Sequence, residues 1–297
     1  MSDLEARFAG RLRRHEPMSR HTSWHVGGPA DWFFEPRDRE DLAAFLRAIP
    51  ADLPLWWVGL GSNLLVRDGG LRGAVILTHG AFSKLEPRAD GLIWCEAGVP
   101  CARIARHCVR LGLGPAEFFA GIPGTLGGAL AMNAGAFGGE TWSHVREVEV
   151  IDRAGNIHWR AAAEYRVSYR HVTAPVVGEA FLGATLAFEA RPASNNDTLR
   201  DLLVERKAKQ PIGEWSCGSV FTNPVGDHAA RLIEAAGLKG RRIGGACVSP
   251  KHANFIINEG EAKAADLEQL IGEVRDVVEA RFGVRLQTEV RIVGEAA

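Results

Sequence analysis

Two stretches of the 297-residue chain are too dense in glycine to form ordinary loops: VGLGSNLLV at 58–66 and AGIPGTLGGALAMNAGAFGGE at 120–140. Glycine weakens a helix or strand and is retained where the chain must turn sharply or let another group come close. Without a Cβ, Gly59, Gly61, Gly121, Gly124, Gly127 and Gly128 can take positive φ and present N–H groups to phosphate oxygens. Ser62, Asn63 and Thr125 add side-chain donors. Two such segments in one chain point to a diphosphate cradle. Neither fits the usual nucleotide signatures. The chain lacks a GxxxxGK followed by Ser or Thr, and GLGSNL does not open a capped helix with an acidic residue about twenty positions on. A different dinucleotide fold is expected.

The pattern around these segments alternates strands and helices. Asp38 to Ile49 places Leu42, Phe45, Leu46 and Ile49 on one helical stripe, with Asp38 as N-cap and Pro50 as stop. LPLWWVGL from 53, GAVIL from 73 and LIWCEAG from 92 read as strands. A second helix follows, with Pro100 in its first turn, Ile104, Cys108 and Leu111 on its buried face and Gly112 at its end. VREVEVIDRAGNIHW from 145 alternates in period two around a DRAG turn and predicts a hairpin, with strands continuing to about Phe188. The small polar stretch ARPASNND, 190–197, is expected to link two domains. Beyond it, Ala264 to Phe282 predicts a core helix through Leu267, Leu270, Ile271, Val274, Val277, Val278 and Phe282, capped by Gly283. LQTEVRIV from 286 predicts a last strand with Leu286, Thr288, Val290 and Ile292 on one face and Glu289 on the other.

Composition narrows the function classes. A hydrophobic fraction of 46% with 24% charged residues suits a globular protein with one large core or two to three smaller ones. The formal net charge of −1 supplies no basic excess to neutralise a run of phosphates, so no nucleic-acid partner is expected. The longest apolar candidate, Ala174 to Phe188, is short for a membrane span and contains Glu179. The N-terminus mixes acids and bases without an apolar core, unlike a secretory signal, and a cytoplasmic protein without membrane attachment or an obligate protein partner is expected. Cys95, Cys101, Cys108, Cys217 and Cys247 form neither CxxC pairs nor a zinc-like cluster, so no disulfide framework or metal is expected. The first three read as core packing, and Cys217 stays open because it lies close to a candidate site.

Several motifs together carry a family resemblance: HTSWHVGGPAD (21–31), the two glycine segments, VSYRHV (167–172), CGSVFTNP (217–224), KHANFIIN (251–258) and TEVRIVG (288–294). In this order, from Thr22 to Gly294, they resemble the UDP-N-acetylenolpyruvoylglucosamine reductase family. The resemblance implies an α+β fold. Its FAD-binding domain would be of the vanillyl-alcohol oxidase and p-cresol methylhydroxylase type, followed by a smaller C-terminal α/β substrate-binding domain. The corresponding boundaries are 1–190 for the FAD-binding domain, in lobes of about 1–80 and 81–190, and 191–285 for the substrate-binding domain. Residues 286–297 would form a terminal strand returning Glu289 to the active site. At the matching positions, noncovalent FAD is expected against Gly59, Gly61, Ser62, Asn63 and Leu64. The second segment would add Gly121, Ile122, Gly124, Thr125, Gly127, Gly128, Ala129, Asn133 and Gly135.

The family reaction passes hydride from NADPH to flavin and on to the vinyl carbon of a UDP-sugar enolpyruvyl ether. The protein must stabilise the enolate that develops through the substrate carboxylate and then protonate the adjacent carbon. The resemblance assigns the carboxylate to Arg170, whose guanidinium fork matches it in two parallel hydrogen bonds. It assigns the proton to Ser219 and an assisting role to Glu289, which must be protonated to donate a hydrogen bond to an anion. Tyr169, Lys209 and Asn223 match substrate-binding positions. Thr222 replaces the lysine usual in the family's FKNP, and the short interval between Arg170 and Ser219 resembles the branch without a tyrosine-bearing substrate loop. His252 and Asn254 match a family motif without a role that the sequence separates. Two other readings stay open: another flavoenzyme of the superfamily, and a noncatalytic nucleotide-sugar binding protein on the same scaffold.

Overall fold

The computed structural model describes residues 2–191 and 195–297 and divides into two compact units. The first comprises residues 1–13, 32–59 and 73–204, the second 14–31, 60–72 and 205–297. The units follow packing rather than chain order, because residues 14–31 and 60–72 join the C-terminal part. The division falls inside the helix Asn196–Lys209, past the expected linker at 190–197, of which 192–194 lie outside the described residues.

In the first unit the helix Arg39–Ala48 forms as its periodicity predicts. Asp38, in extended conformation, accepts from Asp41 N–H at 2.8 Å and satisfies a donor of the first turn. Leu42, Phe45 and Leu46 enter a core with Phe8, Phe34, Ala74 and Ile76, where the Phe34 and Phe45 rings stack with centroids 4.0 Å apart. Leu55–Val58 pairs in parallel with Leu71–Leu77, so the first glycine segment leaves the end of a half-buried strand at its one buried residue, Val58.

A five-stranded antiparallel sheet supports the second segment, in the order Ile157–Ala161, Val145–Ile151, Ala180–Ala187, Leu92–Glu96 and Leu85–Pro87. The hairpin predicted from 145 is its outer pair, with Gly155 at φ +79° in the turn. The helix Cys101–Arg110 packs Ile104 and Cys108 inward, and both are fully buried. Leu111 departs from the expected stripe and is 46% exposed, because the helix ends at Arg110 and Leu111 lies in its C-cap.

The second unit builds its core from the helices Ala229–Ala235 and Ala264–Phe282 and a three-stranded antiparallel sheet, Arg242–Ile243, Ala246–Val248 and Ile256–Asn258. Ala264–Phe282 has the predicted bounds and stops at Gly283 in the left-handed region, φ +68°. Phe282 is the exception to its stripe, lying exposed in the last turn. The terminal strand also differs from expectation. Thr288 bridges Phe221, the chain bends at 289–290, and only Arg291–Val293 continues as a strand, parallel to Leu64–Val66. The Val220 carbonyl accepts from the N–H of both Glu289 (2.8 Å) and Val290 (3.3 Å), which pins the bend.

All five cysteines are buried as free thiols. Among the described residues, no helix is long and apolar enough to cross a membrane, and no group of three or more His, Cys, Asp or Glu side chains could hold a metal ion.

Candidate active site

In the first unit, the second glycine segment is shaped by close approach more than by positive φ. Gly124 takes φ +133°, whereas Gly121 is required for space, as is Gly59 of the first segment, which meets Thr125. A Cβ on Gly121 would stand 2.5 Å from that of Ala136, and one on Gly59 2.4 Å from Thr125 Oγ1. The Thr125 hydroxyl is buried and has no hydrogen-bond partner in the protein. A buried hydroxyl left unmatched costs about 1–3 kcal/mol, so a ligand acceptor beside Gly59 is its natural complement. A Cβ on Gly128 would meet nothing within 4 Å, so this glycine borders open space. An anionic group entering here would find the Thr125 hydroxyl as a donor and room beside Gly128, which suits the expected diphosphate. Gly127 departs from the expectation that its N–H turns to phosphate, because it donates to the Ala97 carbonyl at 2.8 Å. The N–H of Ile122 and of Ala129 are likewise spent, on Phe119 and Thr125 carbonyls.

The same segment holds Arg170. Arg166–Ser168 and His171–Thr173 form a hairpin whose two-residue turn is Tyr169–Arg170. Arg170 sits at φ +54°, a conformation that costs a non-glycine residue about 1–2 kcal/mol unless its surroundings fix it. Here Nη1 donates to the Asn133 carbonyl at 3.2 Å and Nη2 to the Gly135 carbonyl at 3.0 Å. The guanidinium carbon lies 5.0 Å from the centroid of the Tyr169 ring, which is 49% exposed. Arg170 is therefore delivered to the cofactor candidates Asn133 and Gly135, although 35 or more residues separate them in sequence.

In the second unit the first glycine segment is tied to the other two catalytic candidates. Gly61 takes φ +60°, and a Cβ there would stand 1.9 Å from the His21 carbonyl oxygen. Asn63 Nδ2 donates to the Glu289 carbonyl at 3.0 Å, and Arg291 N–H donates to the Asn63 carbonyl at 3.0 Å. Leu64 opens the strand paired with Arg291–Val293. Ser219, half-buried, immediately precedes Val220, whose carbonyl takes the Glu289 N–H. Ser219 and Glu289 thus lie on hydrogen-bonded segments beside the Ser62–Asn63 turn.

Asn254 and Cys217 acquire definite roles here. Asn254, buried, accepts from Phe221 N–H through Oδ1 at 3.0 Å and donates Nδ2 to the Phe221 carbonyl at 2.8 Å, while its own carbonyl takes Val220 N–H at 2.9 Å. It clamps Val220 and Phe221, the two residues just after Ser219. Cys217 Sγ donates to the carbonyls of Leu64 (3.5 Å) and Gly61 (3.7 Å), and burial pushes its thiol up to about 12. It fastens the serine loop to the glycine turn. His252 Nδ1 accepts from Asn254 N–H at 3.3 Å, and burial lowers its pKa, with nearby Lys239 acting in the same direction. The sequence offered no signal for these bonds beyond the proximity of Cys217 to Ser219.

The substrate candidates lie more openly. Lys209, in the last turn of Asn196–Lys209, is exposed and pairs with Glu205 at 2.5 Å. Asn223 Oδ1 accepts from Ala229 N–H at 3.1 Å, at the start of the helix Ala229–Ala235.

The glycine segments and their supporting sheet carry a known signature. The family profile described as an FAD binding domain matches residues 30–160, so the chain contains an FAD-binding domain. The profile described as the C-terminal domain of UDP-N-acetylenolpyruvoylglucosamine reductase matches residues 210–293. The reductase of that name from Alkalilimnicola ehrlichii is 60% identical over 97% of this chain and 96% of its own length. The one from Methylococcus capsulatus is 56% identical over 97% and 94%. The crystal structure of the Thermus caldophilus reductase has a TM-score of 0.81 at 33% identity, covering 95% of this chain and 98% of its own. The chain belongs to the UDP-N-acetylenolpyruvoylglucosamine reductase family.

Proposed function

We propose that the chain reduces UDP-N-acetylglucosamine enolpyruvate to UDP-N-acetylmuramate, with NADPH as hydride donor. It would act in the cytoplasm as a step of peptidoglycan precursor synthesis, on which cell shape and division depend. Residues 1–190 serve FAD binding, 191–285 substrate binding, and 286–297 bring in Glu289. Bound FAD supplies the hydride relay between NADPH and the vinyl carbon. Arg170 holds the substrate carboxylate and offsets the charge that grows on it as hydride adds. Ser219 gives a proton to the carbon next to the carboxylate, completing the saturated lactyl ether, and Glu289 assists at the carboxylate. Tyr169, Lys209 and Asn223 orient the nucleotide sugar, with Lys209 acting as a point charge on phosphate.

The observation that carries this reading is the attachment of two catalytic candidates to FAD-segment residues of their own units, with the loop of the third, Ser219, fastened to Gly61 and Leu64 through Cys217. Arg170 is bonded to Asn133 and Gly135, and Glu289 to Asn63. Single-turnover kinetics of Arg170→Ala, Ser219→Ala and Glu289→Gln provide the test. Each variant should keep NADPH-driven bleaching of the flavin and lose most of the substrate-driven recovery. Recovery at the parent rate in all three would remove these assignments.

A further inference from the structure

The hydrogen bonds that hold Arg170 lead back to a carboxylate that the chemistry above leaves unused. Asn133 is 1% exposed and its side-chain amide is fully directed. Nδ2 donates to Glu140 Oε2 at 3.0 Å and to the Ser168 carbonyl at 3.2 Å, while Oδ1 accepts from Trp142 N–H at 3.1 Å. Flipping the amide would set Oδ1 against two acceptors, so these bonds select one orientation. Asn133 itself sits at φ +47°, capping the helix Leu126–Met132.

Asn133 consequently grips the catalytic turn at two points. Its side chain holds the carbonyl of Ser168, the residue that opens the Tyr169–Arg170 turn, and its backbone carbonyl takes Arg170 Nη1. Glu140 fixes the amide from the far side by accepting through Oε2. A cavity of about 260 Å³, lined by Asn133, Glu140, Trp142, Ser143, Ala162 and Val167, opens on the pair.

The geometry points to Glu140 as a positioning residue: through Asn133 it sets the Tyr169–Arg170 turn, and with it the direction of the guanidinium that receives the substrate carboxylate. This role rests on the reading of Arg170 given above. Glu140 acts at a distance, so it governs the step that uses Arg170 and leaves flavin reduction alone.

The test follows the flavin's visible band in NADPH-reduced holoenzyme mixed anaerobically with substrate over a concentration series. The parent is compared with Glu140→Gln, Glu140→Leu, Glu140→Ala and Arg170→Ala. Glutamine keeps an acceptor oxygen for Asn133, whereas leucine keeps bulk without one. Glu140→Leu should slow the limiting recovery rate about 10- to 100-fold, and Glu140→Gln should stay within about threefold of the parent. FAD content and NADPH-driven bleaching should be unchanged in both. Glu140→Ala, where water in the cavity replaces part of the lost bond, should fall between them, and it decides the matter if the leucine variant does not fold. Parent-like recovery in Glu140→Leu and Glu140→Ala beside an impaired Arg170→Ala overturns the positioning role and leaves Arg170 in place. Equal slowing of bleaching and recovery, with glutamine no better than leucine, also overturns it, as a plain structural effect. Parent-like recovery in Arg170→Ala removes the reading of Arg170 and this role together.

Discussion

Replacing Asn254 with alanine should damage both stability and proton delivery, because one side chain serves both. The amide satisfies the N–H and the carbonyl of Phe221, which is 2% exposed, and deleting it strands two backbone groups with little access to water. At about 1–3 kcal/mol per stranded group, the loss is about 2–6 kcal/mol. That corresponds to a fall in Tm of roughly 3–10 °C for a protein of this size. Phe221 is two residues after Ser219, so the hydroxyl also loses its fixed place, and substrate-driven recovery of the flavin band should slow about 10- to 100-fold. Asn254→Asp should be no milder. It keeps an acceptor for Phe221 N–H but turns a carboxylate oxygen on the Phe221 carbonyl. Thermal melts and single-turnover kinetics on the same preparations measure both effects. A Tm within about 1 °C of the parent together with an unchanged recovery rate would refute the reasoning, because no geometry of two buried, abandoned backbone groups is that cheap.

The other predictions concern the glycines and an acid limb. Gly61→Ala should cost about 2–5 kcal/mol and prevent FAD retention, since it combines positive φ with a clash against the His21 carbonyl; holoprotein content and Tm read this out. Gly128→Ala should keep or raise Tm, because its Cβ meets no protein atom in a helix, yet it should weaken FAD binding in titration; unchanged affinity would place the cofactor elsewhere. Asp41 is buried; although burial alone would raise its pKa, the hydrogen bond from Arg11 and that from Arg37 N–H hold it below the usual carboxylate value. A lowered folded pKa stabilises the fold above about pH 4, and that contribution is lost as pH falls through the folded value. Asp41→Asn should thus lose roughly 1.5–3 kcal/mol at pH 7 and show a shallower acid-unfolding limb below about pH 4 in circular dichroism titration.

The legible parts of this chain were local. The helix Arg39–Ala48 announced itself through Asp38 and its stripe, and Ala264–Phe282 through periodicity and Gly283, because caps and apolar spacing are written within one element. The glycine segments signalled close approach, and Gly59 and Gly61 show it against Thr125 and His21. What sequence withheld was long-range hydrogen bonding. Nothing in period or propensity says that Gly127 gives its N–H to Ala97, that Asn254 reaches back 33 residues to Phe221, or that Arg170 rests on Asn133 and Gly135. The break at 289–290 was hidden for the same reason. TEVRIV alternates like a strand throughout, and the bend is imposed by the Val220 carbonyl from another segment.

The most direct test of the account is anaerobic stopped-flow absorbance of the purified holoenzyme, adding NADPH first and UDP-N-acetylglucosamine enolpyruvate second. The account predicts a flavin band that bleaches with NADPH and returns with substrate, in one-to-one yield with UDP-N-acetylmuramate. Reduced flavin that verified substrate fails to reoxidise would contradict it.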